Sequence, residues 1–445
     1  MPPAHTYPLA VAQPPVPGEP AEAVRRRQAM AAAVVADGWA PSEKVQDALR
    51  TVPRHRYAPE RDLKTAYDDL AVVTRLDGTG KPTSSVSAAW LQAGMIENLQ
   101  LEAGAVVHEA GSGGYNAALL AHVVGPNGRV VTGDIDPYIV HRTHRLTTEA
   151  GSGDVTAFHG DAVLGVPARL VPRSGFDATM ITYNAWDVAP AWREQLAEGG
   201  PLVLPLEIGG YTRAITFRRA GDVLHAERFT HCGYIRAQGE HARTIPVVDL
   251  LGGELRLRFE DGDPAPTEGL EEALRGPRHE IATGVKMGSG FYFGSLQLYA
   301  ATPLPGFCRL SAHREKGTGV TLIANGDAPA ILGNAALAYL VHVQTRHGDS
   351  PADREWEWAV HAFGEQRPRL AQQLAATVRA WDRDVRDSNN PDLTEPAGTP
   401  DRLLPAGDIV DRPLPRMVIQ WPGRDVLLRA PVEHGGTPAA TVEGM

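Results

Sequence analysis

The stretch that most constrains the fold is residues 106–121, VVHEAGSGGYNAALLA. An apolar run of strand length ends at Glu109, a turn with three glycines follows, and a helical pattern begins at Tyr115. Glycines allow a ligand to approach the backbone closely, and a helix N-terminus presents unpaired N–H groups. The pattern therefore predicts a strand, a turn and a helix that hold a ligand at the turn. The glycines of the turn are Gly111, Gly113 and Gly114.

Short apolar runs alternate with helical stretches around this unit. Continuous apolar strands separated by helices are typical of a parallel sheet covered on both faces. The sequence therefore predicts an α/β fold for the first half of the chain. The predicted strands are 105–107, 129–132, 155–158, 178–182 and 201–206, and the predicted helices include 21–36, 42–50 and 115–124. Glycines and a proline between residues 67 and 83 predict a loop there.

The pattern changes after residue 206, where strand candidates follow one another without clear helices between them. One helix is predicted near the end, because apolar residues from Leu370 to Val385 recur at spacings of three and four. The expected organisation is a flexible leader (1–20), an α/β domain (21–240), an α+β extension (241–430) and a disordered tail (431–445). Strands after residue 206 are predicted at 212–217, 223–229, 255–259, 291–299, 320–324 and 417–421, with loops at 260–278 and 388–415.

Two acidic residues suggest which ligand the glycine turn holds. Asp134 ends the strand after the turn, where a carboxylate can accept hydrogen bonds from ribose hydroxyls, and Asp161 follows the third strand, where it could face an adenine amine. A glycine turn alone is often only a tight turn, but three features in this order favour a nucleotide. A dinucleotide would favour G-x-G-x-x-G, yet the sixth position here is Asn116. The sequence therefore favours S-adenosylmethionine.

Several stretches beyond the turn resemble the protein-L-isoaspartate O-methyltransferase family, over approximately residues 20–240. The resemblance implies a Rossmann-like class I methyltransferase fold, S-adenosyl-L-methionine as cofactor, S-adenosyl-L-homocysteine as product, and transfer of the methyl group to a carboxylate. The matching stretches are residues 52–59 (the family's VPRxxFVP), 66–69 (AYxD), 85–87 (Thr-Ile-Ser), 178–206 (ending in QLxxGGxLVxPV) and 232–235 (FVPL).

The resemblance also implies the roles of individual residues. Ser87 is expected to orient the acceptor carboxylate by a hydrogen bond, and the alternative is that Ser87 caps the following helix. Further substrate contacts are expected from Val86, Tyr183 and Asn184. The cofactor-binding residues implied are Ser85, Glu109, Gly111, Ser112, Gly113, Tyr115, Asp134, Ile135, Asp161 and Ala162.

Two departures from the family bear on the substrate. Ala89 replaces a proline after the acceptor motif, and about 200 residues follow the point where a repair enzyme ends. That extension resembles FxLD-type methyltransferases of peptide natural-product clusters, which implies esterification of an aspartate in a lanthipeptide, lasso peptide or graspetide precursor. Aspartimide or isoaspartate would follow. The alternatives are a housekeeping isoaspartate-repair enzyme and a non-catalytic peptide-binding scaffold.

Composition excludes other classes. A formal net charge of −10 argues against a nucleic-acid enzyme, and residues 182–186 lack the Asn/Asp-Pro-Pro-aromatic motif of amino-group methylation. Cys232 and Cys308 form neither a disulfide framework nor a metal-ligand spacing, so we expect no metal and a reducing cytoplasm. No apolar run is long enough to span a membrane. The expected partner is a peptide or protein substrate.

Overall fold

A computed structural model describes most of the chain and divides it into two compact units. The first contains residues up to 207, residues 212–243 and residues after 405, and the second contains residues 208–211 and 244–404. The described residues are 19–111, 113–259, 266–288, 294–301, 304–312, 328–350, 353–386, 418–420 and 427–429.

The first unit begins with helices and one hairpin. The hairpin is a two-stranded antiparallel sheet in the segment for which a loop was predicted. PTSSV is largely polar and the two valines of VVTRL are adjacent, so neither strand shows the apolar alternation that signals a strand. The elements are α1 (Ala21–Ala36), α2 (Glu43–Thr51), a 3₁₀ turn (Arg54–Tyr57), α3 (Leu63–Ala66), β1 (Val72–Leu76), β2 (Pro82–Val86) and α4 (Ala89–Asn98).

A nine-stranded sheet forms the centre of this unit. Its order is β18-β17-β9-β8-β7-β6-β3-β4-β5, and the run from β7 to β5 is parallel, which confirms the predicted Rossmann-like α/β fold. The strands are β3 (Val106–Ala110), β4 (Arg129–Asp134), β5 (Val155–His159), β6 (Ala178–Ile181), β7 (Pro201–Ile208), β8 (Tyr211–Ala220), β9 (Val223–His231), β17 (Val418–Gln420) and β18 (Leu427–Arg429). The helices among them are α5 (Tyr115–Val124), α6 (Pro137–Ala150) and α7 (Pro190–Glu194).

The second unit is built on an antiparallel sheet of seven strands, in the order β10-β11-β13-β14-β15-β16-β12. The helix predicted from the apolar stripe is observed, and Leu370, Leu374, Val378 and Trp381 are all buried in it. The strands are β10 (Val247–Leu250), β11 (Leu255–Arg258), β12 (His279–Gly288), β13 (Phe307–Ala312), β14 (Ala328–Gly333), β15 (Ala336–Arg346) and β16 (Glu355–Phe363). The helices are α8 (Leu270–Leu274), α9 (Gly294–Ala301) and α10 (Arg367–Trp381).

One predicted strand of the extension is wrong. Residues 291–299 were expected to form a strand, but the described part of that stretch belongs to α9. Leu296 and Ala300 lie four residues apart and are both fully buried, so helical spacing and not two-residue alternation governs burial. The predictions for residues 1–18, 320–324, 388–415 and 431–445 lie outside the described residues. Among the described helices, none is long and apolar enough to cross a bilayer.

Candidate active site

The glycine turn lies between the end of β3 and the start of α5, packed against two neighbouring segments. Gly111 has φ +90°, and a Cβ there would lie 2.9 Å from Thr182 Oγ1. A Cβ on Gly113 would lie 3.3 Å from the carbonyl oxygen of Ser85. The turn therefore requires bare backbone, and it brings the predicted acceptor segment next to the predicted cofactor segment. Ser112, a predicted cofactor contact, lies outside the described residues.

Glu109 lies beneath this turn and is fully buried. Its carboxylate accepts hydrogen bonds from Asn116 Nδ2 at 2.9 Å and from Thr132 Oγ1 at 2.5 Å. Glu109 has no exposed surface in this conformation, and its predicted cofactor contact stays a prediction. Glu109 ties the end of β3 to α5 and β4. Asn116, which breaks the dinucleotide pattern, is the donor from α5.

The end of β4 provides an acidic position above the sheet. Asp134 Oδ1 accepts a hydrogen bond from the Asp136 backbone N–H at 2.8 Å, and Asp134 keeps part of its surface exposed. Burial, together with the nearby carboxylates of Asp136 and Glu109, raises the pKa of Asp134 to about 7. The ionised carboxylate therefore lacks hydrogen-bond donors. The two hydroxyls of a ribose would supply them. Ile135 follows Asp134, as predicted for the same site, and its carbonyl accepts from His159.

Asp161 lies at the end of β5 and holds two backbone segments. It caps the short 3₁₀ helix Ala162–Leu164 through Val163 N at 3.2 Å, and its Oδ2 accepts from Glu240 N at 2.8 Å. Its predicted contact with an adenine amine stays a prediction. Gly239 is required at its position, because φ is +67° and a Cβ would lie 2.1 Å from Asp161 Oδ2.

Residues 235–243, here called the cover segment, contact several of the predicted site residues. Asn184 N donates to the carbonyl of Ile235 at 2.8 Å, and Ala237 N donates to the carbonyl of Asn184 at 2.9 Å. Trp186 Nε1 donates to the carbonyl of His241 at 3.1 Å. The cover segment therefore joins the loop after β6 to Asp161. Sequence reasoning missed it, because its contacts are mostly made by backbone.

Ser87 lies between β2 and α4 and is partly exposed. The N-cap of α4 is Ala88 and no side chain caps the helix, so the helix-capping alternative for Ser87 is wrong. The Tyr234 hydroxyl donates to Met95 Sδ at 3.0 Å, and the Ser87 side chain is near enough to Tyr234 to lower its pKa slightly. Burial raises the pKa of Tyr234, which keeps its hydroxyl protonated at neutral pH. Tyr234 is a site residue that the resemblance alone did not single out.

The other predicted substrate contacts are placed differently. Val86 is buried, with its side chain toward Gly113, so a side-chain contact with substrate is not available to it. Tyr183 packs against Gly111 and lies near Asp134 and Asp161, which together with burial raise its pKa. Asn184 is also buried, and its Nδ2 donates to Glu207 Oε2 at 2.6 Å. Of this set, Ser87 and Tyr183 have polar side chains that are partly exposed, and Ser87 is the one that follows the strand next to the glycine turn.

The remaining predicted residues surround the same turn. Ser85 is partly exposed at the end of β2, and Tyr115 and Ala162 are buried at the starts of their helices. His108 is buried against Phe176, and burial lowers its pKa to about 3, so it is neutral at physiological pH. Within the described part of the chain, no three His, Cys, Asp or Glu side chains form a group that could hold a metal.

The donor and acceptor set at this edge of the sheet fits S-adenosylmethionine. The acidic residues at this edge attract a positively charged sulfonium. A ribose diol can donate hydrogen bonds to the Asp134 carboxylate, which burial has stripped of water. Gly111 is partly exposed and Gly113 is buried, and an added Cβ would clash with Thr182 at the first and be tight against Ser85 at the second. These residues do not form a phosphate-binding turn of the dinucleotide type, since Asn116 occupies the position of the third glycine.

Comparison with known proteins decides the family. The model of protein-L-isoaspartate(D-aspartate) O-methyltransferases matches residues 25–242. The protein-L-isoaspartate O-methyltransferase of Methanococcoides burtonii is 34% identical over 185 residues, which cover 41% of this chain and 86% of that protein. The chain belongs to this family. It is therefore an S-adenosylmethionine-dependent carboxyl O-methyltransferase, and the non-catalytic scaffold is set aside.

Other relatives agree in name. The protein-L-isoaspartate O-methyltransferase of a Roseiflexus species is 35% identical, over 45% of this chain and 87% of that protein. A solved structure titled protein-L-isoaspartate O-methyltransferase has a TM-score of 0.45 and 19% identity, over 80% of this chain and 92% of its own. Another, from Plasmodium falciparum in complex with S-adenosyl-L-homocysteine, has a TM-score of 0.41 and 17% identity, over 48% and 98%.

Proposed function

We propose that this methyltransferase esterifies the free carboxylate of isoaspartyl residues in peptides or proteins, the repair-type reaction named for its relatives. The observation that carries the proposal is the close approach of the acceptor segment to the glycine turn. A Cβ on Gly113 would be 3.3 Å from the Ser85 carbonyl, and Ser87 follows two residues later. A carboxylate bonded to Ser87 would then lie beside the methyl donor.

Methyl transfer to a carboxylate requires that the acceptor oxygen is oriented and that water is excluded from it. A carboxylate with a pKa near 4 is ionised at neutral pH, so its attack requires no general base. When bound, S-adenosylmethionine supplies the methyl group from its sulfonium. The chain must align the acceptor oxygen at a near-attack distance of about 3–3.5 Å and exclude water from it. Ser87 holds the acceptor with its one hydroxyl proton, Tyr234 lies beside Ser87, and the cover segment shields the site.

Ser87→Ala tests this role. We expect kcat to fall roughly tenfold or more, because one hydrogen bond to a charged acceptor contributes about 1.5–3 kcal/mol. The dissociation constant of S-adenosylmethionine should stay within about twofold, since Ser87 does not hold the cofactor. Transfer is measured by mass spectrometry with isoaspartyl and aspartyl versions of one peptide. Ser87→Thr is the matched control, because it keeps a hydroxyl. Equal loss of cofactor affinity and turnover would reject the role.

A second candidate function, tailoring of a ribosomal precursor peptide, is favoured by the second unit. The family model stops at residue 242, and the seven-stranded sheet lies beyond it. Such an extra domain suits a dedicated peptide substrate, and within the proposal we assign this peptide-binding role to the part of residues 241–430 that belongs to the second unit. The reaction would esterify an ordinary aspartate. The backbone nitrogen of the next residue would then attack the ester carbonyl and expel methanol, leaving an aspartimide that hydrolyses to isoaspartate.

The two candidates differ in the acceptor that reacts. A repair enzyme methylates the isoaspartyl peptide and leaves the aspartyl peptide unchanged. A tailoring enzyme methylates an aspartyl precursor, and the product then loses methanol. The mass of each peptide after incubation decides between them. For either candidate we predict a cytoplasmic enzyme with no nucleic-acid partner.

A further inference from the structure

Arg54 is a fully buried cation that the reaction described so far does not use. It lies in the 3₁₀ turn Arg54–Tyr57 and has no exposed surface. No carboxylate in the described part of the chain pairs with it, and burial lowers its pKa. A buried charge without a counter-ion is costly unless hydrogen bonds replace its hydration. The bonds that Arg54 makes should therefore indicate why it is kept.

Those bonds hold both ends of the β1–β2 hairpin. Arg54 Nε donates to the carbonyl of Ala66 at 2.8 Å, and one terminal nitrogen donates to the carbonyl of Leu70 at 3.4 Å. The same nitrogen donates to the carbonyl of Val86 at 3.3 Å. Ala66 and Leu70 precede β1, and Val86 is the last residue of β2. One guanidinium thus fixes where the chain leaves for the hairpin and where it returns.

Two further contacts connect the Arg54 guanidinium to helices α4 and α5. Its other terminal nitrogen donates to Gln92 Oε1 of α4 at 3.1 Å, and its Cζ lies 5.0 Å from the centre of the Tyr115 ring. Tyr115 is the first residue of α5, directly after the glycine turn. Arg54 therefore contacts the residue before Ser87 and the residue after the turn.

We propose that Arg54 is a positioning residue that sets the separation between Ser87 and the cofactor turn. It acts through Val86 and Tyr115 and does not touch the substrate. The inference rests on the proposed role of Ser87. A planar guanidinium reaches several acceptors in fixed directions, whereas a lysine ammonium is a single point of charge on a flexible stem. The charge alone is therefore not sufficient for this role.

Arg54→Lys is the first test, because it keeps the positive charge and removes the planar guanidinium with its fixed donor directions. We expect kcat per bound S-adenosylmethionine to fall at least tenfold, while the dissociation constant of S-adenosylmethionine stays within about twofold. Counting sites by calorimetric stoichiometry corrects for any unfolded fraction. The assay uses whichever peptide, isoaspartyl or aspartyl, the wild type methylates. A wrong substrate assignment therefore leaves this test intact.

Arg27→Lys is the matched control. Arg27 is also buried, and its Nε donates to the carbonyl of Arg50 at 2.7 Å, but it does not contact Val86 or Tyr115. We expect it to lower stability without changing kcat per bound cofactor. Gln92→Met is a milder variant, which removes one acceptor of Arg54 and should lower kcat less than Arg54→Lys does. The proposal is overturned if Arg54→Lys retains kcat per site within twofold, or if Arg27→Lys loses as much.

Discussion

The two units use sheets of opposite kinds, and only one of them gathers polar groups at an edge. In the first unit, parallel strands end together, Asp134 is the last residue of β4, and Asp161 follows the end of β5. In the second unit, neighbouring strands run in opposite directions and alternate residues of β15 enter two apolar clusters. Leu340 belongs to one cluster and Tyr339 to the other.

This difference between the sheets assigns ligand binding to the first unit and apolar packing to the second. Carboxyl ends of parallel strands open onto a common crevice, which is where α/β sheets hold ligands. An antiparallel sheet with apolar clusters on both faces has side chains committed to the interior. Changes in the second unit should therefore alter stability and leave cofactor affinity constant, whereas changes at the first sheet's edge should do the reverse.

The largest expected effect tests the packing half of this comparison. Leu374→Ala removes a fully buried side chain of α10 and should cost about 2–5 kcal/mol of unfolding free energy. Chemical denaturation measures the loss, and Gln372→Ala, an exposed neighbour, should change stability by less than about 0.5 kcal/mol. A changed dissociation constant for S-adenosylmethionine in the folded variant would break the comparison.

Asp134→Asn tests the other half. It removes the carboxylate that we expect to accept hydrogen bonds from the ribose hydroxyls. One hydrogen bond to a charged group contributes about 1.5–3 kcal/mol, so loss of one bond should lower the affinity for S-adenosylmethionine roughly 10- to 150-fold. Titration calorimetry measures it. Stability should not fall, because burial disfavours the charged form of Asp134 in the ligand-free protein. Unchanged affinity would remove Asp134 from the cofactor site.

The pH dependence of cofactor binding should follow the same carboxylate. Ribose hydroxyls favour ionised Asp134, whose pKa is about 7 in the ligand-free protein, so affinity at pH 6 should be about tenfold lower than at pH 8. Because this pKa is raised above its ordinary 3.8, the group's contribution to ligand-free stability is present below pH 4 and is lost as pH rises to about 7. Calorimetry on Asp134→Asn, which should show no such step, is the control.

The smallest expected effect concerns the cover segment. Gly239→Ala places a Cβ against Asp161 Oδ2 at a positive φ, which costs about 1 kcal/mol or more and weakens the Glu240 contact. S-adenosylmethionine should then dissociate several-fold faster in stopped-flow measurements. Gly233→Ala is the control, since a Cβ there meets nothing within 4 Å. Equal rates in the two variants would show that this segment does not retain the cofactor.

The fold of the first unit was predictable because its signals are local. The predicted helices 21–36 and 115–124 have the observed bounds, and each predicted parallel strand is present. The second unit was less predictable. Of its described strands only β11 was predicted, and α9 was assigned the wrong type, because burial there depends on partners distant in the chain.

The site was predictable by position more than by role. The motifs located Asp134 and Asp161 at the ends of parallel strands and Ser87 after the acceptor strand, but they could not show that Glu109 is fully enclosed. Arg54 and Tyr234 were quoted only as parts of motifs. Their roles depend on three-dimensional contacts, such as the bond from Arg54 to the carbonyl of Val86, that no local pattern encodes.

Strand β17 has a consequence for how the polypeptide is made. It pairs with β9, although all the described residues of the second unit after Arg243 come between them in the chain. On the ribosome, β9 therefore emerges long before its neighbour, and its outer backbone groups stay open while the intervening segment is translated. A nascent chain stalled before residue 418 would expose the unpaired backbone N–H and C=O groups of β9 to other nascent chains.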